Sequence, residues 1–197
     1  AQSVSGGRFT LGIGLSHKIV IEDMLGMSYD RPARHMRQYL DVLMPLLRGE
    51  EAQVDGDQYA VHAGLDVPGA APVSCLTAAL GPAMLKVTGE LADGTILWMT
   101  GPKTIESYVV PGLRAGSGPA ARPDARVVCA LPLMITDDGE AGHALAAEQF
   151  ANYGFLPSYS GMLDREGVHA PADVPILRGA RRRPEDPPGG NERSSRC

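Results

Sequence analysis

Three short stretches of the 197-residue chain have the residue types and spacing that could do chemistry: "LGIGLSH" at 11–17, "TAALGPAMLK" at 77–86 and "ILWMTGP" at 96–102. His17 follows an alternating apolar run, and a neutral imidazole there could donate a hydrogen bond or take up a proton. A lone histidine is also commonly structural or solvated. In "AALGPAML" glycine and small side chains precede a helix start, so backbone N–H groups could approach an anion that the helix dipole favours. The plain alternative is a tight strand-to-helix turn at Gly81-Pro82. Lys86 could reach such an anion or lie solvated on its helix. Trp98, the one tryptophan, could flank an aromatic ligand or fill space between sheet and helices. Cys75 and Cys129 sit inside apolar runs without an adjacent base, which suits inert buried thiols.

The elements that must position these residues alternate along the chain. "RFTLGIGLSH" reads as a short buried strand ending in a glycine turn. "YDRPARHMRQYLDVLMPLLRG" predicts a helix with Asp30 as N-cap, apolar positions Met36, Tyr39, Leu40, Leu43, Leu46 and Leu47, and Pro45 bending or shortening its last turn. Asp55-Gly56 predicts a small hairpin outside the main core. "PVSCLTAA" is a second core strand, followed by a helix from Gly81-Pro82 that Asp93-Gly94 stops. "TILWMT" is the third strand, and a second Gly-Pro at 101–102 opens a helix carrying Ile105, Tyr108 and Val109, with "PGLRAGSGPAARPD" as a loop. "ARVVCALPLMIT" is the fourth strand, and "EAGHALAAEQFANYGF" and "PSYSGMLDREG" are two helices.

Continuous apolar strands separated by helices predict an α/β fold with a parallel sheet, either doubly wound or a (β/α)8 barrel. In both, function gathers at the carboxyl ends of the strands. Those ends are Gly14–His17, Thr77–Gly81, Trp98–Gly101 and Thr136–Asp138. No GxGxxG with an acid about 20 residues on, no GKS/T loop and no GxSxG elbow occurs, so Rossmann, P-loop and hydrolase readings have little support.

Composition sets the remaining bounds. The chain is 44% hydrophobic and 21% charged, ordinary for one soluble domain with a core. A net charge of −5 does not suggest a nucleic-acid surface. Without an apolar run of about 20 residues or a signal-like start, neither a membrane span nor export is expected, and a cytoplasmic protein with reduced thiols is the default. The three cysteines are far apart, with no CxxC and no histidine at metal-ligand spacing, so no metal is expected. Residues 178–197 hold six arginines against three acids, a net +3 that leaves −8 for the rest. With almost no large apolar side chain, this Pro-containing tail is expected to be disordered.

The motifs "GRFTLGIGLSH", "YDRPARHMRQYLDVLMPLLRG" followed by "VDGDQY", and "ALGPAMLKVTGELADGTILWMTGP" together resemble the luciferase-like monooxygenase family. The likeness is greatest to its actinobacterial branch that uses the deazaflavin coenzyme F420, and runs from about Gly7 to Pro175. The resemblance implies a TIM-barrel oxidoreductase that transfers a hydride between F420 and a small organic substrate. An FMN-dependent monooxygenase of the same fold and a non-catalytic fragment that binds only cofactor or a partner chain are the alternatives. It further implies that backbone amides of Ala79, Leu80 and Gly81 hold the cofactor phosphate, with Gly14, Ser16, Thr77, Lys86, Trp98, Met99 and Thr100 in the same binding set. His17 becomes the proton donor, where sugar-phosphate dehydrogenases of the family carry an acid.

A TIM barrel typically needs about 250 residues, and the chain opens at what resembles the family's fourth strand. Residues 1–177 are therefore expected to form an incomplete luciferase-like TIM-barrel domain, and the tail after "PADVPI" to be the product of a reading-frame shift. Unpaired sheet edges in such a partial barrel would favour a homodimer or other self-association.

Overall fold

The two faces of the core sheet have different neighbours. Leu11, Ile13, Cys75 and Leu97 pack into the helical core, while Gly12, Gly14, Leu76, Ala78, Ile96 and Trp98 lie on the opposite face. A computed structural model of the chain describes residues 1–118 and 125–174. The expected tail at 178–197 lies outside the described residues.

Strands β1 (Thr10–Ile13), β4 (Ser74–Thr77), β5 (Gly94–Trp98) and β6 (Arg126–Ala130) form one sheet in the order β1-β4-β5-β6, every pair parallel. Consecutive core strands are neighbours and helices cross between them, so the sheet is an arc of a (β/α)8 barrel. The α/β partial TIM-barrel fold expected from the sequence is the fold observed. Among the described residues nothing pairs with the outer edges of β1 and β6.

Helix α1 (Pro32–Leu47) buries Met36, Leu40 and Met44, one residue per turn on a single face. The residue that caps it is Arg31, not Asp30: Arg31 takes a left-handed conformation (φ 45°), and the Asp30 carboxylate pairs with its guanidinium instead of the helix amides. Strands β2 (Ala52–Asp55) and β3 (Ala60–Ala63) make the expected hairpin, with a four-residue loop after Asp55 instead of a two-residue Asp-Gly turn. The Asp93 carboxylate accepts the Cys75 N–H at 2.9 Å while its own N–H donates to the Cys75 carbonyl, which ties the start of β5 to β4.

The segment after Gly101-Pro102 departs most from expectation. Helix α3 (Pro102–Thr104) continues through a wide turn at Ile105–Val109 into α4 (Val110–Ser117), where a loop was expected. Pro111 and the glycines that suggest a loop have other uses. Pro111 sits in the first turn after the wide turn, where its missing N–H is tolerated. Gly112 and Gly116 let α4 lie against α2 (Pro82–Leu91), since a Cβ on Gly116 would come within 2.6 Å of the Lys86 carbonyl oxygen.

The fourth strand is shorter than expected and stops at Ala130. Pro132 cannot donate to a ladder, and Leu133 and Ile135 beyond it are 84% and 96% exposed. Helices α5 (Gly139–Phe150) and α6 (Pro157–Glu166) follow, joined through a tight helical turn at Ala151–Phe155. The Asp138 carboxylate caps α5 by accepting the N–H groups of Glu140 and Ala141. No helix among the described residues is long and apolar enough to cross a membrane.

Candidate active site at the carboxyl edge of the sheet

Three strand ends converge on one edge. β1 runs into Gly14, Ser16 and His17, β4 into Ala79, Leu80 and Gly81, and β5 into Met99 and Thr100 after Trp98. β1 and β4 lie side by side in register, and a Cβ on Gly14 would sit 3.1 Å from that of Ala78. The inner face at this edge therefore presents the small, exposed residues Gly12, Gly14 and Ala78, with the Ile96 side chain lying against Gly12.

Backbone strain is concentrated at the same edge. Only three non-glycine residues among those described have positive φ, and two of them, Ser16 (φ 60°) and Met99 (φ 49°), lie just past the ends of β1 and β5. Each is held from outside: the Ser16 carbonyl accepts the Tyr29 hydroxyl at 3.2 Å, and the Met99 N–H donates to the Ala130 carbonyl at 2.9 Å. Partial burial raises the Tyr29 pKa, so its hydroxyl stays a donor.

Gly81 is the N-cap of α2 in extended conformation, and a Cβ there would meet nothing within 4 Å. Space is thus open beside the start of α2, and a helix start whose first amides lack partners within the helix is the arrangement that attracts anions. Ala79 is buried and Leu80 and Gly81 are half-buried, so the loop offers backbone more than side chain. The Thr77 side chain is wholly buried: its hydroxyl bonds that of Thr88, and its carbonyl accepts the Thr95 hydroxyl. Lys86 is exposed, and its backbone lies on the flank of α2 that meets α4 at Gly116.

An aromatic wall stands beside His17 and Trp98. Tyr153 and Tyr159 pack at 5.0 Å between centroids, His17 lies 6.5 and 6.3 Å from them, and Phe150 stands between Tyr153 and Trp98 at 6.3 Å from each. Burial, with lesser contributions from Tyr153 and Cys129, pushes the Tyr159 phenol up to about 12, so it stays protonated and can only donate or pack. The Trp98 Nε1 is buried and has no hydrogen-bond partner among the described residues. A small apolar cleft beside it, lined by Met99, Leu131, Phe150 and Val174, has room for about one water-sized group and could not take a ring system.

Sequence reasoning did not find the aromatic wall. Its signal was compositional: four of the nine phenylalanines and tyrosines fall within residues 150–159. The buried Glu166, which sits against Gly101, also went unnoticed because an isolated acid near a helix end reads as solvated.

Residues 1–192 match the family described as luciferase-like monooxygenase. The chain belongs to this family. Within the luciferase-like monooxygenases it is 28% identical over 174 residues to the 5,10-methylenetetrahydromethanopterin reductase of Methanolobus tindarius, covering 88% of this chain and 53% of that one. It is 30% identical over 180 residues to the F420-dependent glucose-6-phosphate dehydrogenase of Beutenbergia cavernae, covering 87% and 51%. Among solved structures, the coenzyme F420-dependent tetrahydromethanopterin reductase from Methanopyrus kandleri superposes with a TM-score of 0.60 at 24% identity, covering 85% and 53%. An F420-dependent secondary alcohol dehydrogenase in complex with an F420–acetone adduct superposes at 0.61 and 18%, covering 88% and 52%. These two structures share the fold, and the chain spans about half the length of the curated relatives it matches.

Proposed function

We propose that the chain binds coenzyme F420 at the carboxyl edge of its sheet and takes part in hydride transfer between that cofactor and a small organic substrate. The observation that carries the reading is the convergence of an open helix start at Gly81 with the small residues Gly12, Gly14 and Ala78 at the neighbouring strand ends. The residues present fit a cofactor with a planar ring and an anionic tail. The small residues at the strand ends would face the ring, and the amides of Ala79, Leu80 and Gly81 would hold a phosphate. When bound, the deazaflavin supplies the hydride chemistry.

The protein's own contributions follow from its geometry. Ser16, Met99 and Thr100 present backbone in conformations fixed from outside, so this edge is set before any ligand arrives. Trp98, Phe150 and Tyr153 exclude water from one side. His17, half-buried against two tyrosine rings, holds or delivers a proton at an imidazole nitrogen. Relatives named for F420 dependence support this cofactor over FMN. The test is a fluorescence titration of the 197-residue chain with F420 and FMN in parallel. Saturable binding of F420 is expected, and tighter binding of FMN would replace the reading with a flavin monooxygenase of the same fold.

Binding without turnover is the second reading, favoured by the outer edges of β1 and β6, with which nothing pairs among the described residues. Self-association through those edges, giving a homodimer or a larger species, belongs to the proposal. Sedimentation velocity should show a concentration-dependent mass, and a monomer at all concentrations would exclude it.

A further inference from the structure

We propose that Glu166 is a positioning residue that sets the end of β5, and with it Trp98, from a different helix. Helix α3 starts at Gly101, which has no side chain to cap it, and no side chain of its own first turn does so. The cap comes from the last residue of α6. The Glu166 carboxylate is 2% exposed, and its Oε1 accepts the Thr104 N–H at 2.6 Å, the donor that a local N-cap would satisfy. The carboxylate lies against the Gly101 Cα so closely that a Cβ there would overlap all three of its outer atoms. Its Oε2 is buried without a hydrogen-bond partner among the described residues.

Further bonds join the same two helix ends. Lys103 Nζ donates to the Glu166 carbonyl at 3.0 Å, placing a cation at the carboxyl end of α6. The Thr104 hydroxyl donates to the Met162 carbonyl at 3.4 Å. The start of α3 is thus fastened at three points to the end of α6.

What this fastening controls lies directly upstream. Gly101 follows Thr100, whose hydroxyl bonds the Trp98 carbonyl and whose own carbonyl accepts the Cys129 thiol at 3.3 Å. Between them Met99 holds a positive φ. A strained residue keeps its conformation only when both flanks are fixed. Ala130 fixes one flank through the Met99 N–H, and Glu166 fixes the other through Gly101 and Thr104. Trp98 also packs on the cluster of Tyr159, Met162 and Leu163 from α6, so one helix both clamps the turn and seats the indole. The geometry explains why a costly buried carboxylate stands where an apolar residue would fill the same space.

The experiment uses Trp98 itself as the reporter, since it is the only tryptophan. Glu166→Ala in the 197-residue chain should shift the Trp98 emission to longer wavelength and raise its acrylamide quenching, with the far-UV circular dichroism unchanged. Glu166→Gln, which keeps an acceptor for the Thr104 N–H, should restore both signals towards wild type. A purely structural role would lower the unfolding temperature and leave Trp98 unchanged below the transition. Should Glu166→Ala not fold, Glu166→Asp withdraws the carboxylate by one methylene and should give the same shifts at smaller size. Unaltered Trp98 emission and quenching in a folded Glu166→Ala or Glu166→Asp chain would overturn the proposal. Measured without cofactor, these signals stand apart from the F420 reading. If that reading also holds, F420 affinity should fall about fivefold in Glu166→Ala, the size of a lost helix cap.

Discussion

The imidazole of His17 meets the ring of Tyr153 edge-on, with centroids 6.5 Å apart and planes crossing at 83°. His17 comes from the first core strand and Tyr153 from the turn between the last two helices, so the contact spans the site from one side to the other. Tyr159 supports the same imidazole at 6.3 Å, and its neutral phenol adds no charge beside it.

Replacing His17 tests its role in proton transfer. His17→Gln keeps a polar side chain of similar reach but cannot shuttle a proton at neutral pH. Turnover with F420 should fall by about 10²-fold, the usual contribution of a general acid or base, while the F420 titration midpoint stays in place. Equal turnover in the variant would remove the assignment.

Gly81→Asp should separate stability from binding. The position accepts a Cβ freely and its backbone is extended, so the new carboxylate can cap α2. A modest gain in unfolding temperature is expected, because Asp outranks Gly as an N-cap by a few tenths of a kcal/mol. The same negative charge should repel an anionic cofactor and weaken F420 binding. Undiminished binding would place the phosphate elsewhere.

The alkaline limb of stability should reflect two buried acids. Burial raises Tyr159 from 10.0 to about 12 and Cys75 from 9.0 to about 11. The unfolded chain loses these protons first, so the stabilisation is complete below the unfolded values and is lost as pH rises through the folded ones. Urea midpoints should therefore decline from about pH 9 upward, and Tyr159→Phe should flatten the decline between pH 10 and 12. A slope unaltered by Tyr159→Phe would show that the phenol is not the source.

Close packing of α2 on α4 should make Gly89→Ala costly. A Cβ at Gly89 would overlap the Leu113 carbonyl, and the Gly89 carbonyl also accepts the Ser117 hydroxyl at 3.0 Å. Overpacking of this kind typically costs about 1–3 kcal/mol, more than the helix propensity of alanine returns. Chemical denaturation would read the loss, and a more stable variant would contradict the packing.

The parts of the fold that were legible in the sequence share a local cause. The β1, β4 and β5 strands show as apolar runs, and the Gly-Pro pairs at 81–82 and 101–102 both open helices because proline suits a first helical turn. The parts that were not legible depend on partners distant in sequence. Gly112 and Gly116 signal a loop by themselves, and only α2 against them, through the Leu85 side chain and the Lys86 backbone, turns that signal into a packing site. Asp30 has the chemistry of a cap, yet the left-handed Arg31 after it takes the position.

The candidate site divides in the same way. By itself the sequence determined the parallel α/β class, the ends of the first three core strands, and the Gly-Pro start of α2, because each follows from side-chain period and backbone freedom within about ten residues. Only the tertiary structure decided that Thr77 turns into the core, that Tyr153 and Tyr159 face His17, and that Glu166 caps a helix it does not belong to. Those outcomes rest on contacts between segments up to 142 positions apart in the numbering, from His17 to Tyr159, where burial and geometry act on residues that local patterns treat as independent.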